Sequence, residues 1–202
     1  MKNLFLLSII AVFAIGSVNA QEVKFGAKAG VNFASLNGDD SGELDSRTSF
    51  HIGAVAEIII SDKFSVQPEL LYSGQGAKFE ETFLDEKFES TLKLDYLNIP
   101  IMAKYYVYEG LSVEAGPQIG FLLSAESEDK EDGETETADV KDQISSIDFG
   151  LNFGLGYKLE NGLNFAARYN LGLSNVFDDS DDDSDDFKQQ NGVFQISVGY
   201  TF

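Results

Sequence analysis

The sequence predicts an all-β fold. It is an eight-stranded antiparallel up-and-down transmembrane β-barrel, with short periplasmic turns and four long acidic extracellular loops. Three observations carry this expectation. Apolar and polar residues alternate with period two, as in strands whose side chains point to opposite faces in turn. Short and long connections alternate strictly, so a meander collects the long loops at one end and both termini at the other. One strand face is large and apolar, while the other is small and polar with few charges. A water-soluble barrel such as a lipocalin would turn its polar face to solvent, where roughly a quarter to a third of residues are charged.

The elements follow in order. Lys2, the apolar run Leu4 to Ile15 and the small-residue site Val18-Asn19-Ala20 read as a signal peptide. The apolar run is shorter than the roughly 20 residues a spanning helix needs. The expected division is a cleaved segment 1–20 and a barrel domain 21–202, beginning at Gln21. No cysteine follows to carry a lipid.

Strands are expected at 23–35, 49–60, 64–77, 92–106, 111–125, 144–158, 163–174 and 191–202. In the first, Phe25, Ala27, Ala29, Val31 and Phe33 oppose Lys24, Gly26, Lys28, Gly30 and Asn32. In the seventh, Phe165, Ala167 and Tyr169 oppose Ala166, Arg168 and Asn170. The small polar face suits a narrow lumen, and the large apolar face suits lipid. Tyr72, Tyr105, Tyr157, Tyr169 and Tyr200 share the outward phase and are expected at the membrane interfaces. The short links are Ser61-Asp62-Lys63, Val107 to Gly110 and Glu160-Asn161-Gly162. Asn161-Gly162 predicts a type I′ turn. The long links are 36–48, 78–91, 126–143 and 175–190.

Carrying the inward phase through every strand collects eight charges: Lys24, Lys28, Glu57, Glu69, Lys104, Glu114, Asp148 and Arg168. The signs balance, whereas the whole chain carries −20. Most of these residues lie five or seven positions from the nearest short turn, so they form one layer. Lys104 and Glu114 oppose each other across their hairpin. Glu57 and Glu69 are also expected to face one another, with Arg168 between them. The interior of such a barrel is just wide enough for side chains to fill. The expectation is therefore a structural plug of ion pairs. The alternative is a narrow path for protons or ions, since charges within a membrane mark functional sites.

The acidity lies in the long links. Segment 126–142 holds nine carboxylates against Lys130 and Lys141, and segment 178–188 reads DDSDDDSDDFK. Weak Ca²⁺ binding is a possibility these loops raise, but EF-hand spacing is absent. No other cofactor is expected. The negative charge disfavours nucleic acid. Without cysteine, and with His51 alone, thiol chemistry and His-based zinc sites have no basis. His51 is the one candidate for a catalytic base.

Several stretches carry a family likeness. QPELLYSGQG (67–76), LDYLNIPIMAKYY (94–106), EAGPQIGFLL (114–123), DFGLNFGLGY (148–157), ARYNLGLSNV (167–176) and the ending VGYTF resemble the PorT-like outer-membrane β-barrel family of Bacteroidota. That resemblance implies an outer-membrane protein of a Gram-negative bacterium. It also implies that Phe202 belongs to the C-terminal signal read by the barrel-assembly machinery. The function expected is structural or interactive, with an unknown partner at the extracellular loops. A narrow channel or a transport or secretion accessory is the alternative, and an enzyme is a further one.

Overall fold

The computed structural model describes residues 22–38, 44–83, 86–131, 134–177 and 188–202. The expected signal peptide and the aspartate run 178–187, with its Ca²⁺ expectation, lie outside these residues. The strands are β1 (Val23–Gly38), β2 (Leu44–Ser61), β3 (Phe64–Phe83), β4 (Glu86–Tyr108), β5 (Leu111–Glu131), β6 (Glu134–Asp139), β7 (Ile147–Lys158), β8 (Leu163–Gly172) and β9 (Gln189–Thr201). All pairings are antiparallel. β9 pairs with β1 and β4 with β5, so β1-β2-β3-β4-β5-β7-β8-β9 closes into a ring of eight staves. β6 is no stave but a short return strand along the outer part of β5, from Glu126↔Asp139 to Glu131↔Glu134.

Two of the expected long loops are corrected to strand. Residues 78–83 and 86–91 continue the β3–β4 ladder as far as Phe83↔Glu86, and β5 follows β4 outward to Glu89↔Lys130. The charges that suggested loops instead pair along and across the strands. Lys78 Nζ lies 3.0 Å from Glu80 and 3.2 Å from Glu89, and Lys93 Nζ lies 2.5 Å from Glu128. Lys130 Nζ lies 3.4 Å from Glu89 and 3.2 Å from Glu128. Alternating lysine and glutamate can satisfy a solvated ladder without any apolar face. The first long link also shortens, because β1 runs to Gly38 and β2 begins at Leu44. The sixth expected strand starts later, at Ile147, after a 3-10 turn at Lys141–Gln143.

The short turns gather at the end where the chain termini meet. Ile59 N donates to Glu22 O (3.0 Å) and Phe202 N to Phe25 O (2.9 Å). The β7–β8 turn differs from the expected type I′. Gly162 N donates to Leu159 O (3.0 Å), so Glu160 and Asn161 take the central positions. Gly162 follows at φ 90°, the arrangement of a turn closed by a left-handed glycine bulge.

The faces decide which solvent the wall meets. Phe149, Phe153, Leu155, Phe165, Ile196 and Val198 are exposed on the outside, while Asn32, Asn152, Arg168, Asn170 and Gln195 are buried inside. The lipocalin arrangement is excluded by this inversion. From Leu163 to Leu173 the outward apolar run covers about 33 Å along the strand. A tilt of about 40° brings that to about 25 Å, the height of an outer-membrane apolar band. Of the outward tyrosines, Tyr105, Tyr157, Tyr169 and Tyr200 are exposed, and Tyr72 stacks obliquely on Phe50 at 5.4 Å.

The lumen is layered. At the long-link end Leu36, Ala77, Leu94, Tyr96, Leu122, Ala125, Ile144 and Val176 pack into one apolar cluster. No inward apolar stopper was expected. Two of its members, Leu36 and Val176, lie in predicted links, and Ile144 stands at the very start of the sixth expected strand. Below it the lumen is polar, then charged.

Candidate functional site

Each lumen side chain is set by strand phase and by what stands opposite. Arg168 on β8 has Gly154 as its β7 partner and Gln195 as its β9 partner. With bare backbone beside it, the side chain is free to cross the barrel. It reaches Glu69 on β3, the stave diametrically opposite in the ring. Nη1 donates to Glu69 Oε2 and Nη2 to Glu69 Oε1, both at 2.9 Å, and Nη2 also donates to Glu114 Oε2 at 3.2 Å. This planar fork is the geometry in which a guanidinium holds a carboxylate best.

The neighbours complete the layer. Lys28 Nζ lies 3.4 Å from Glu69 Oε2, and Lys104 Nζ lies 3.2 Å from Glu114 Oε1. Gln67 ties them together: its Nε2 donates to Glu69 Oε1 (2.7 Å) and its Oε1 accepts from Lys104 (3.2 Å). Lys104 also sits 5.9 Å from the centre of the Tyr106 ring. Lys104↔Glu114 is a ladder pair, as the spacing predicted.

Three expectations about this layer are corrected. Lys24 is not part of it: it pairs with Glu22 at 3.2 Å at the partly exposed rim, because it sits at the first turn-end level of β1. Glu57 and Glu69 do not face each other. Val55 is the partner of Glu69, and a bulge between Ile59 and Ser61 sets this register. Arg168 therefore bridges Glu69 and Glu114, not Glu69 and Glu57. Glu57 has partners of its own one level lower. Lys158 Nζ on β7, again the opposite stave, lies 2.6 Å from Glu57 Oε2. Ser65 Oγ donates to Glu57 Oε1 at 2.8 Å, and the Tyr106 hydroxyl donates to the same oxygen. Lys158 and Tyr106 were missed. Both share the inward phase of their strands, Lys158 with Gly156 and Tyr106 with Lys104, and that signal could have found them. Asp148 stands apart, near the long-link end, accepting from Ser174 Oγ at 3.0 Å.

Glycines on the inner face make room for this packing. A Cβ at Gly156 would lie 2.3 Å from Glu114 Oε1 and 2.8 Å from Ser112 Oγ. The space left is small. A cavity of about 10 Å³ lies among Lys28, Gln67, Lys104, Glu114 and Arg168, about the room one water needs.

Between the ion layer and the apolar cluster sits His51, fully buried. Its Nδ1 lies 2.7 Å from Asn32 Oδ1 and its Nε2 lies 2.9 Å from Ser197 Oγ. Asn32 Nδ2 donates to Gly74 O (2.7 Å), Ser73 Oγ (3.0 Å) and Phe50 O (3.2 Å), which fixes Oδ1 as the acceptor. Nδ1 is therefore the donor in the first bond. Gln195 Nε2 donates to the same Oδ1 at 3.0 Å. This network joins β1, β2, β3 and β9 across the seam of the barrel.

Comparison with known proteins agrees with this architecture. Residues 19–178 match the family described as outer membrane protein beta-barrel domain. The fold is similar to Neisserial surface protein A, at 12% identity and a TM-score of 0.55, covering 90% of this chain and 99% of that one. It is also similar to Ail, the attachment invasion locus protein of Yersinia pestis, solved with the heparin analogue sucrose octasulfate. There the identity is 13% and the TM-score 0.52, over 90% and 99% of the two chains. No curated protein matches this chain in sequence.

Proposed function

We propose that this chain, which belongs to the outer membrane protein beta-barrel domain family, is a closed barrel that acts through its external surface and not by passing solutes. It resides in the outer membrane of a Gram-negative bacterium. The observation that carries the proposal is the filled lumen. A cross-braced ion layer, a His51–Asn32 network and an apolar cluster occupy successive levels, and the cavity among the ions is only about 10 Å³. The partner surface is the acidic projection of β3, β4, β5 and β6, whose β6 residues are all exposed. Lipid meets the outer wall, the barrel-assembly machinery is the partner during insertion, and nothing favours nucleic acid. The finer placement in the PorT-like branch rests on the order of the motifs at 67–76, 94–106 and 114–123. A non-enzymatic role is supported by His51, whose ring nitrogens are both engaged inside the wall.

The test is planar-bilayer recording on the refolded full chain. A closed barrel gives a flat trace at physiological salt. Long-lived conductance steps would overturn the proposal in favour of the second reading, a narrow ion path. That reading draws on the charged layer itself and on Arg168 Nε, which has no partner among the described residues.

A further inference from the structure

A second polar cluster lies above the ion layer. Asn98 on β4, Gly120 on β5 and Asp148 on β7 share one level, as the pairs Asn98↔Gly120 and Gly120↔Asp148 show. Gly120 is bare, and the side chains on either side converge over it. A Cβ there would lie 2.6 Å from Asn98 Oδ1 and 3.6 Å from Asp148 Cβ. Asn191 of β9 approaches both the Asp148 carboxylate and the Tyr96 hydroxyl without a well-formed hydrogen bond to either. Asn170 folds over Gly150, the next inward position of β7, with Nδ2 2.8 Å and Oδ1 3.3 Å from where a Cβ would stand.

All of these side chains are at most 3% exposed. Four of their oxygens have no hydrogen-bond partner among the described residues: Asp148 Oδ2, Asn98 Oδ1, Asn170 Oδ1 and Asn191 Oδ1. A buried carboxylate without a counter-charge is costly. Among the described residues no Lys or Arg forms an ion pair with Asp148, and Lys28, Lys104, Lys158 and Arg168 are engaged lower down.

We propose that Asp148, Asn98, Asn191 and Asn170 form a binding site for a monovalent cation of the sodium class. Carboxylate and amide oxygens are the donors that hard cations take. The charge selects the valence. One carboxylate with three neutral oxygens is balanced by a single positive charge, whereas a divalent ion would leave net charge buried. Ser174, only partly buried, donates to Asp148 Oδ1 and marks the approach from the rim. Asn191 Nδ2 and Gln118 Nε2 also lack partners, so an ordered water is the rival occupant.

The test uses the full chain in detergent micelles, melted in NaCl and in choline chloride at equal ionic strength. The melting temperature should rise saturably with Na⁺ alone, by roughly 3–6 °C at ten times the dissociation constant. Asp148→Asn should remove that dependence. Superimposable curves in the two salts, or an unchanged Na⁺ response in the variant, would overturn the site. Stabilisation by CaCl₂ without any by NaCl would overturn the monovalent assignment. If the variant does not fold, crystals of the parent soaked in a thallous salt decide the matter. An anomalous peak within about 3 Å of Asp148 Oδ2 supports the site, and ordered water there without a peak refutes it.

Discussion

Removing Arg168 and removing Glu69 should destabilise the barrel by different amounts, and the charge count says in which order. The central layer holds Lys28, Lys104 and Arg168 against Glu69 and Glu114. In Arg168→Leu, Glu69 loses its forked partner but keeps Lys28 at 3.4 Å and Gln67 at 2.7 Å, and Glu114 keeps Lys104 at 3.2 Å. Two cations then balance two carboxylates. Breaking a buried ion pair by removing one member costs about 3–5 kcal/mol, and the surviving partners put this variant at about 3 kcal/mol. In Glu69→Leu, three cations surround Glu114 alone, and both Arg168 and Lys28 lose their main acceptor. That variant belongs at about 5 kcal/mol. At about 2–4 °C per kcal/mol for a domain of this size, the expected falls in melting temperature are roughly 6–12 °C and 10–20 °C. Heat-modifiable migration on gels, with circular dichroism in micelles, reads both. An Arg168→Leu barrel as heat-resistant as the parent, or a Glu69→Leu barrel more stable than Arg168→Leu, would refute the assignment of this layer as a structural brace.

Three more expectations accompany it. His51→Leu leaves Asn32 Oδ1 and Ser197 Oγ short of a partner, so a loss of about 1–3 kcal/mol should appear in the same melts. Gly156→Ala drives a Cβ onto Glu114 Oε1 and should cost about 1–3 kcal/mol, with chemical shifts moving at the Lys104 ammonium and Arg168 guanidinium in side-chain NMR spectra. The projecting hairpin should loosen in acid. The Lys78 hydrogen bond holds Glu89 below its ordinary range, and the Lys93 bond does the same for Glu128. Because both folded values are depressed, their contribution is full above the ordinary glutamate range and fades as pH falls through the folded values. Protection factors of the amides at residues 86–91 and 126–130 should fall there while the staves stay protected. Equal protection at neutral and acid pH would show that these pairs do not hold the hairpin.

The staves were legible because lipid and lumen impose opposite chemistry on alternate residues. Phe165-Ala166-Ala167-Arg168-Tyr169 reads directly as out, in, out, in, out. The projecting ladder was not legible, since residues outside the membrane alternate in charge and not in hydropathy. Lys78, Glu80 and Glu89 resemble a solvated loop until their cross-strand partners are known. Within the lumen, phase identified which side chains point inward but not how far they reach. Lys104–Glu114 joins neighbouring staves and follows from spacing. Lys158–Glu57 spans the diameter and depends on closure, which pairwise spacing does not contain. Lys24 was misassigned because phase carries no depth: it points inward at a level already open to water.

The two diametric braces bear on how the barrel comes into being. Arg168 and Glu69 are 99 residues apart in the chain, and Lys158 and Glu57 are 101. In a sheet not yet curled shut, β8 and β3 lie on distant parts of one surface, as do β7 and β2. No growing hairpin can form either pair, and each pays its loop-closure entropy only when the last seam joins. The charges therefore stay hydrated until closure, then lose water and find partners in one event. A partly assembled barrel gains nothing from them. The brace thus separates finished barrels from unfinished ones, sharpening the transition between the two.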